Sequence, residues 1–199
     1  MKLLFLRHGK TMSNEERRYL GRTDEELSEN GIDELRSKWN SPPKADLFAI
    51  SPMKRCGMTV KCIRGEEFSD TEQIIIDEWR EIDFGIFEGK TYEELKYNHD
   101  YCRWLDSNCE MKIPDGESRD EFVKRSMTGF YRLLSICKQK EAENVVCVVH
   151  GGTIMSIFSE ISGHDYYDFM IENGESRELI IEEDRYEIPY YSISGRFPS

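Results

Sequence analysis

The sequence predicts an α/β fold, and two observations carry that reading. Apolar runs too short for helices recur at 2–6 (KLLFL), 47–50 (LFAI), 74–77 (IIID) and 144–149 (NVVCVV). Between them lie stretches whose apolar residues repeat at helical spacing. Strands alternating with helices point to a sheet that is largely parallel and covered on both faces.

Taken in order, 2–6 reads as a central strand, and the polar stretch 14–26 as loop or short helix. Ser28 is placed to cap a helix carrying Ile32, Leu35 and Trp39 on one side, which Pro42-Pro43 ends. After the strand 47–50, Ser51-Pro52 reads as cap and first residue of a helix reaching Ile63, with Arg55 in its first turn. EIDFGIFEGK, 81–90, reads as a folded loop. Thr91-Tyr92-Glu93-Glu94 and Ser118-Arg119-Asp120-Glu121 are two capping boxes, separated by a loop over 106–117 that holds Pro114 and Gly116. The second box opens a helix with Phe122, Phe130, Leu133, Leu134 and Cys137 on one face. A helix over 153–161 and strands over 177–183 and 186–193 follow, and the tail beyond Gly195 is expected to fray.

A chain of 199 residues with 38% hydrophobic residues can bury one sizeable core, so a single domain over 1–199 is expected. Its net charge of −12 repels nucleic acid and anionic membranes at long range, yet allows a local positive pocket. The six cysteines contain no C-x-x-C pair, and Cys147 lies inside an apolar run, which argues against a disulfide framework. The chain is expected to enter its first strand without a leader, and no apolar run approaches the ~20 residues that span a bilayer. A cytoplasmic protein is expected, as monomer or homodimer.

In open parallel sheets, ligands sit beyond the carboxyl ends of the strands. Arg7-His8-Gly9, Ser51 through Arg55, and His150-Gly151-Gly152 all follow such ends. Two guanidinium groups in one cleft call for an anion, and their planar forks match phosphate. Glycines beside each histidine let the backbone approach closely, and helix starts add positive dipole ends. A neutral histidine held in one tautomer can attack phosphorus while arginines stabilise the developing charge. The leaving oxygen needs a proton, which Glu81 is placed to give, with Glu78, Asp83 and Glu88 as neighbouring alternatives. Two histidines and a carboxylate also suit zinc, but two arginines disfavour a cation there. No Walker-type loop is present, and His99 and His164 read as exposed.

Taken together, LRHGKTMSN (6–14), SPMKR (51–55), EIDFGIFEG (81–89) and VVHGG (148–152) resemble the histidine phosphatase superfamily, which also holds cofactor-dependent phosphoglycerate mutases. The resemblance implies a three-layer α/β/α sandwich with a mostly parallel sheet and a small cap at about 84–117. It implies that His8 becomes phosphorylated, that Arg7 and Arg55 clamp phosphate, and that His150 binds the phosphoryl oxygens. Glu81 matches the proton donor, Asn14 a polar pocket residue and Gly151 a backbone donor, while Thr11 and Ser51 fill small-hydroxyl slots. Arg22, in GRTDEELSENG, is implied as a substrate contact, although Glu26 replaces the usual proline of that loop, and Lys10 replaces a common glutamate.

These matches imply a phosphomonoesterase needing no cofactor and no metal, acting on a small organic phosphate. EIDFGIFEGKTYEEL and PDGES (114–118) look most like α-ribazole phosphatases and their broad-specificity relatives. The alternatives are a phosphoglycerate mutase, which usually has a longer chain, and a non-catalytic phosphate-binding protein. The aromatic stretch from Tyr92 to Trp104 fits either a cap that stacks on the leaving group or plain packing.

Overall fold

Apolar side chains on both sides of a strand require cover on both sides, and that requirement organises the molecule. The computed structural model describes residues 1–64, 70–182 and 190–194. Strands β1 (Lys2–Arg7), β2 (Leu47–Ile50), β3 (Gln73–Ile75), β4 (Asn144–Val149), β5 (Ser176–Glu182) and β6 (Tyr190–Ser194) form one sheet in the order β3-β2-β4-β1-β5-β6. β1 to β4 run parallel, while β5 and β6 are antiparallel to their neighbours.

The helices are α1 (Met12–Glu15), α2 (Glu29–Lys38), α3 (Lys54–Ile63), α4 (Tyr92–Leu95), α5 (His99–Asp106), α6 (Arg119–Lys140) and α7 (Gly151–Ser162). Alternation along the strands divides the core in two. Leu3, Phe5, Ala49, Cys147 and Val149 pack against Phe130 and Leu133 of α6 and Ile154 and Phe158 of α7. Leu6, Phe48, Ile50, Val146 and Val148 pack against Leu35 of α2 and Cys56, Val60 and Ile63 of α3. The result is a three-layer α/β/α sandwich. A third cluster, formed by Phe87, Leu95, Tyr101, Trp104 and Ile113, gathers residues near α4 and α5 away from the sheet.

The register sets up the site. Arg7 pairs with Val149, and Ile50 with Val148, so β1, β2 and β4 end side by side. The residues that follow each end, His8, Ser51 and His150, are therefore delivered to one place. Backbone bonds fix the exits: His8 N–H donates to Val149 O at 3.0 Å and Ser51 N–H to Val148 O at 3.1 Å.

Some local expectations are corrected. Ser51 does not cap α3, which begins only at Lys54 with Met53 as the extended residue before it. The Lys54 N–H is taken instead by Asp24 Oδ1 at 2.7 Å, while the Ser51 hydroxyl lies 2.7 Å from His150 Nε2 and accepts from Met53 N–H at 3.4 Å. α7 starts two residues before Thr153, so Gly151 and Gly152 form its first turn. β3 spans 73–75 and β5 spans 176–182, each displaced by a residue or two. Of the strand expected over 186–193, residues 190–193 belong to β6; the rest, and the tail beyond Ser194, lie outside the described residues. Among the described residues no helix is long and apolar enough to cross a membrane.

Candidate active site

His8 leaves β1 buried, 4% exposed, and its Nδ1 lies 2.7 Å from the carbonyl of Gly9. A carbonyl only accepts, so Nδ1 carries the proton and Nε2 keeps its lone pair. Burial, with Arg55 and Arg7 close by, drives the ring's pKa well below the usual imidazole value, so it is neutral. The turn is held by Gly9 N–H donating to Thr59 Oγ1 of α3 at 3.0 Å and by Asn173 Nδ2 donating to His8 O at 3.0 Å.

His150 stands 5.1 Å from His8, ring centre to ring centre. Arg55 Nε donates to its Nδ1 at 3.3 Å, so the proton sits on Nε2, which faces Ser51 Oγ at 2.7 Å. Burial and the adjacent arginine hold this ring neutral as well. Arg55 is fully buried and also donates to Thr23 O at 2.8 Å and Gly21 O at 2.9 Å. Cys56, 3.8 Å from His150 Nε2, is a thiol whose pKa burial pushes up to about 12, so it stays protonated.

Arg7 donates through Nη1 to Ile171 O at 2.6 Å, while its buried Nε has no hydrogen-bond partner among the described residues. An orphaned guanidinium N–H at a strand end is what an anion would satisfy. Gly151 lies against it: a Cβ there would stand 3.3 Å from the guanidinium carbon.

Glu81 follows the short 3-10 turn Asp77–Trp79 and accepts from Ile82 N–H at 3.0 Å and Gly152 N–H at 3.4 Å. Burial raises its pKa despite those bonds and the nearby arginines, which favours the protonated acid. Of the neighbouring carboxylates, Glu78 pairs with Arg132, Asp83 with Arg22, and Glu88 accepts from the backbone of 21–23.

A cavity of about 300 Å³ opens beside this cluster, lined by Arg7, Glu81 and Gly151 but not by His8, Ser51, Arg55 or His150. Arg7, Asn14, Glu81, Gly151 and Gly152 give it a polar lining, and Tyr19, Phe84, Trp104, Met155, Tyr166 and Met170 an apolar one. Thr11 is fully buried and does not line it; its hydroxyl accepts from Asn14 N–H as the cap of α1. Asn14 Oδ1 accepts from Thr11 N–H and Asn173 Nδ2, which leaves the Asn14 amide donors for a ligand. Arg22 is 60% exposed, pairs with Asp83 and does not reach this cavity. His99 and His164 are exposed as expected. Among the described residues no group of three or more His, Cys, Asp or Glu is arranged to hold a metal ion.

Residues 3–193 match the histidine phosphatase superfamily, branch 1. The chain belongs to that superfamily. It is 30% identical over 192 residues to phosphoserine phosphatase 1 of Hydrogenobacter thermophilus, covering 93% of this chain and 89% of that one. Its fold superposes on the α-ribazole phosphatase of Shigella flexneri with a TM-score of 0.84 at 20% identity, covering 100% and 96% of the two chains. It also superposes on a phosphoserine phosphatase from Entamoeba histolytica in complex with 3-phosphoglyceric acid, with a TM-score of 0.75 at 29% identity and 98% and 97% coverage. As a member of this superfamily the chain is a phosphoric monoester hydrolase that acts through an active-site histidine without a metal ion.

Several residues at this histidine phosphatase site have no sequence signal of their own. Arg119 lines the cavity from the start of α6, stacked 4.9 Å from the Tyr166 ring, yet in sequence it is only the second residue of a capping box. Asn173 precedes a glycine and reads as a turn residue, although it ties His8 to Asn14. Of the aromatic stretch 92–104, Tyr101 is buried packing and Tyr97 is exposed; Trp104 alone lines the cavity.

Proposed function

We propose that this phosphatase hydrolyses a small organic phosphomonoester in two steps through a phosphohistidine on Nε2 of His8. The observation that carries the reading is the His8 tautomer: a neutral ring whose Nδ1–H is tied to Gly9 O, with a lone pair on Nε2. Nε2 attacks phosphorus, the bond from phosphorus to the leaving oxygen breaks, and protonated Glu81 gives that oxygen its proton. Water then attacks the phosphoryl group, the N–P bond breaks, and the Glu81 carboxylate takes the water's proton. Arg7, Arg55, Asn14 and the Gly151 N–H stabilise the equatorial oxygens, while His150, its Nδ1 taken by Arg55 and its Nε2 by Ser51, orients Arg55.

The apolar part of the cavity lining favours a leaving group with a flat or apolar face. Together with the likeness in fold to an α-ribazole phosphatase, it makes α-ribazole 5'-phosphate our candidate substrate. Phosphoserine is the competing candidate, from the relative at 30% identity. In this reading residues 84–117 cap the pocket, and the enzyme works in the cytoplasm.

The deciding assay is phosphate release from p-nitrophenyl phosphate in EDTA, native protein beside His8→Ala. Release by the native protein alone supports the mechanism; equal release by both removes His8 as nucleophile. A panel of α-ribazole phosphate, phosphoserine and sugar phosphates then ranks kcat/KM. Equal values across it would reject the aromatic candidate, and isomerisation of 3-phosphoglycerate without free phosphate would show a mutase.

A further inference from the structure

We infer that Glu88 is a positioning residue for the phosphate-binding arginine, acting through the loop at 21–23. Its Oε1 accepts two backbone bonds, from Gly21 N–H at 2.8 Å and Thr23 N–H at 2.9 Å. The carbonyls of those same two residues hold the guanidinium of Arg55, at Nη2 and Nη1. Arg55 in turn donates to His150 Nδ1. One carboxylate oxygen thus anchors the two residues whose carbonyls aim Arg55, each through its own N–H, and Arg55 fixes the tautomer of His150.

The loop has little freedom apart from this clamp. Asp24 Oδ1 ties its far side to Lys54 N–H, the residue before Arg55. Gly21 is packed so closely that a Cβ would stand 1.9 Å from Ile82 O and 3.0 Å from Glu88 Oε2. Backbone bonds between Tyr19 and residues 89–90 dock the incoming strand of the loop beside Glu88. Glu88 Oε2 is buried with no hydrogen-bond partner among the described residues, so Oε1 performs the clamping. The contacts of this partly buried carboxylate assign it the geometry of Arg55.

The inference rests on the phosphatase reading for its rate measurement, and a binding measurement stands free of it. Glu88→Gln keeps an accepting oxygen at the same reach; Glu88→Asp keeps the charge and withdraws it by one methylene. We expect Glu88→Gln to stay within about threefold of native in kcat for p-nitrophenyl phosphate. Glu88→Asp should lose about tenfold or more in kcat with KM little changed, because a small misplacement near reacting groups costs that much. Orthovanadate affinity, read by calorimetry, should fall in parallel in Glu88→Asp and recover in Glu88→Gln, even in a protein that turned nothing over. A native-like Glu88→Asp, or a Glu88→Gln as impaired as it, would overturn the inference. So would a Glu88→Asp protein that no longer melts cooperatively, since the carboxylate would then be holding the fold rather than the arginine.

Discussion

The backbone of Gly152 lies against the carboxyl group of Glu81: its N–H donates to Oε2 at 3.4 Å, and a Cβ on Gly152 would stand 2.5 Å from Oε1. The first turn of α7 therefore sets where the acid sits. Gly152→Ala should push Glu81 out of line, with Phe122 closing the other way out at 2.8 Å. The loss should be about a hundredfold in kcat for an alkyl phosphate, the usual scale of general acid catalysis. For p-nitrophenyl phosphate it should be smaller, because that leaving group departs without a proton. An equal loss on both substrates would place the effect in the shared hydrolysis of the phosphohistidine, where Glu81 serves as base, and no loss on either would mean that Gly152 does not set the carboxyl group.

Ser51→Ala removes the hydroxyl partner of His150 Nε2 and leaves that buried N–H only the weaker contact with Cys56 Sγ at 3.8 Å. We expect a stability loss of about 1–3 kcal/mol in urea unfolding. A drop of about tenfold in kcat should accompany it, since the ring is then held by Arg55 and a weak thiol contact. Unchanged kcat would show that Arg55 suffices to orient His150.

Stability should depend on pH through the two buried histidines. Both rings are held neutral in the fold, well below the ordinary value of 6.5 that they recover on unfolding. Their contribution is complete above that value and is lost as pH falls below it, at about 1 kcal/mol per pH unit for each ring. Glu81 acts in the opposite sense: its raised pKa means that stability is lost as pH climbs past the ordinary 4.5 toward the folded value. Melting temperatures between about pH 7.5 and 5.5 should therefore fall with acid, and fall less in His150→Gln. A flat profile would mean that the rings are charged in the folded protein.

Asn14 and Arg22 should separate cleanly. Asn14→Ala removes donors from the cavity and should raise KM several-fold, by about 1 kcal/mol for a lost hydrogen bond. Arg22→Ala breaks an exposed pair with Asp83 and should leave KM within about twofold, as exposed pairs contribute little. The measurement is a Michaelis curve on each variant; a large KM effect for Arg22 would mean that the loop moves when substrate binds.

The strand ends were legible because chemistry-bearing residues stand where apolar runs stop. Arg7-His8-Gly9 and His150-Gly151-Gly152 carry their geometry with them, since the parallel register follows from the apolar pattern. The start of α3 departs from the sequence pattern because Ser51-Pro52 has the local form of a cap, and only the folded chain places the hydroxyl against His150. Arg119, Tyr166 and Asn173 were invisible for a similar reason: their roles lie in contacts between distant segments. Glu88 stood in sequence only as a neighbour of Glu81; its partners are 67 and 65 residues away.

The in-register pairing of Lys2 through Arg7 with Asn144 through Val149 has a consequence for how this enzyme tolerates change in length. His8 and His150 are each one residue past a strand, so the distance between their rings is set by how many residues each strand contains. One inserted or deleted residue within β1 or β4 would shift its histidine by about 3.3 Å and turn its apolar side chains to the opposite helix layer. Indels in these two segments should thus abolish folding and catalysis together, whereas side-chain swaps of matched volume there should spare both.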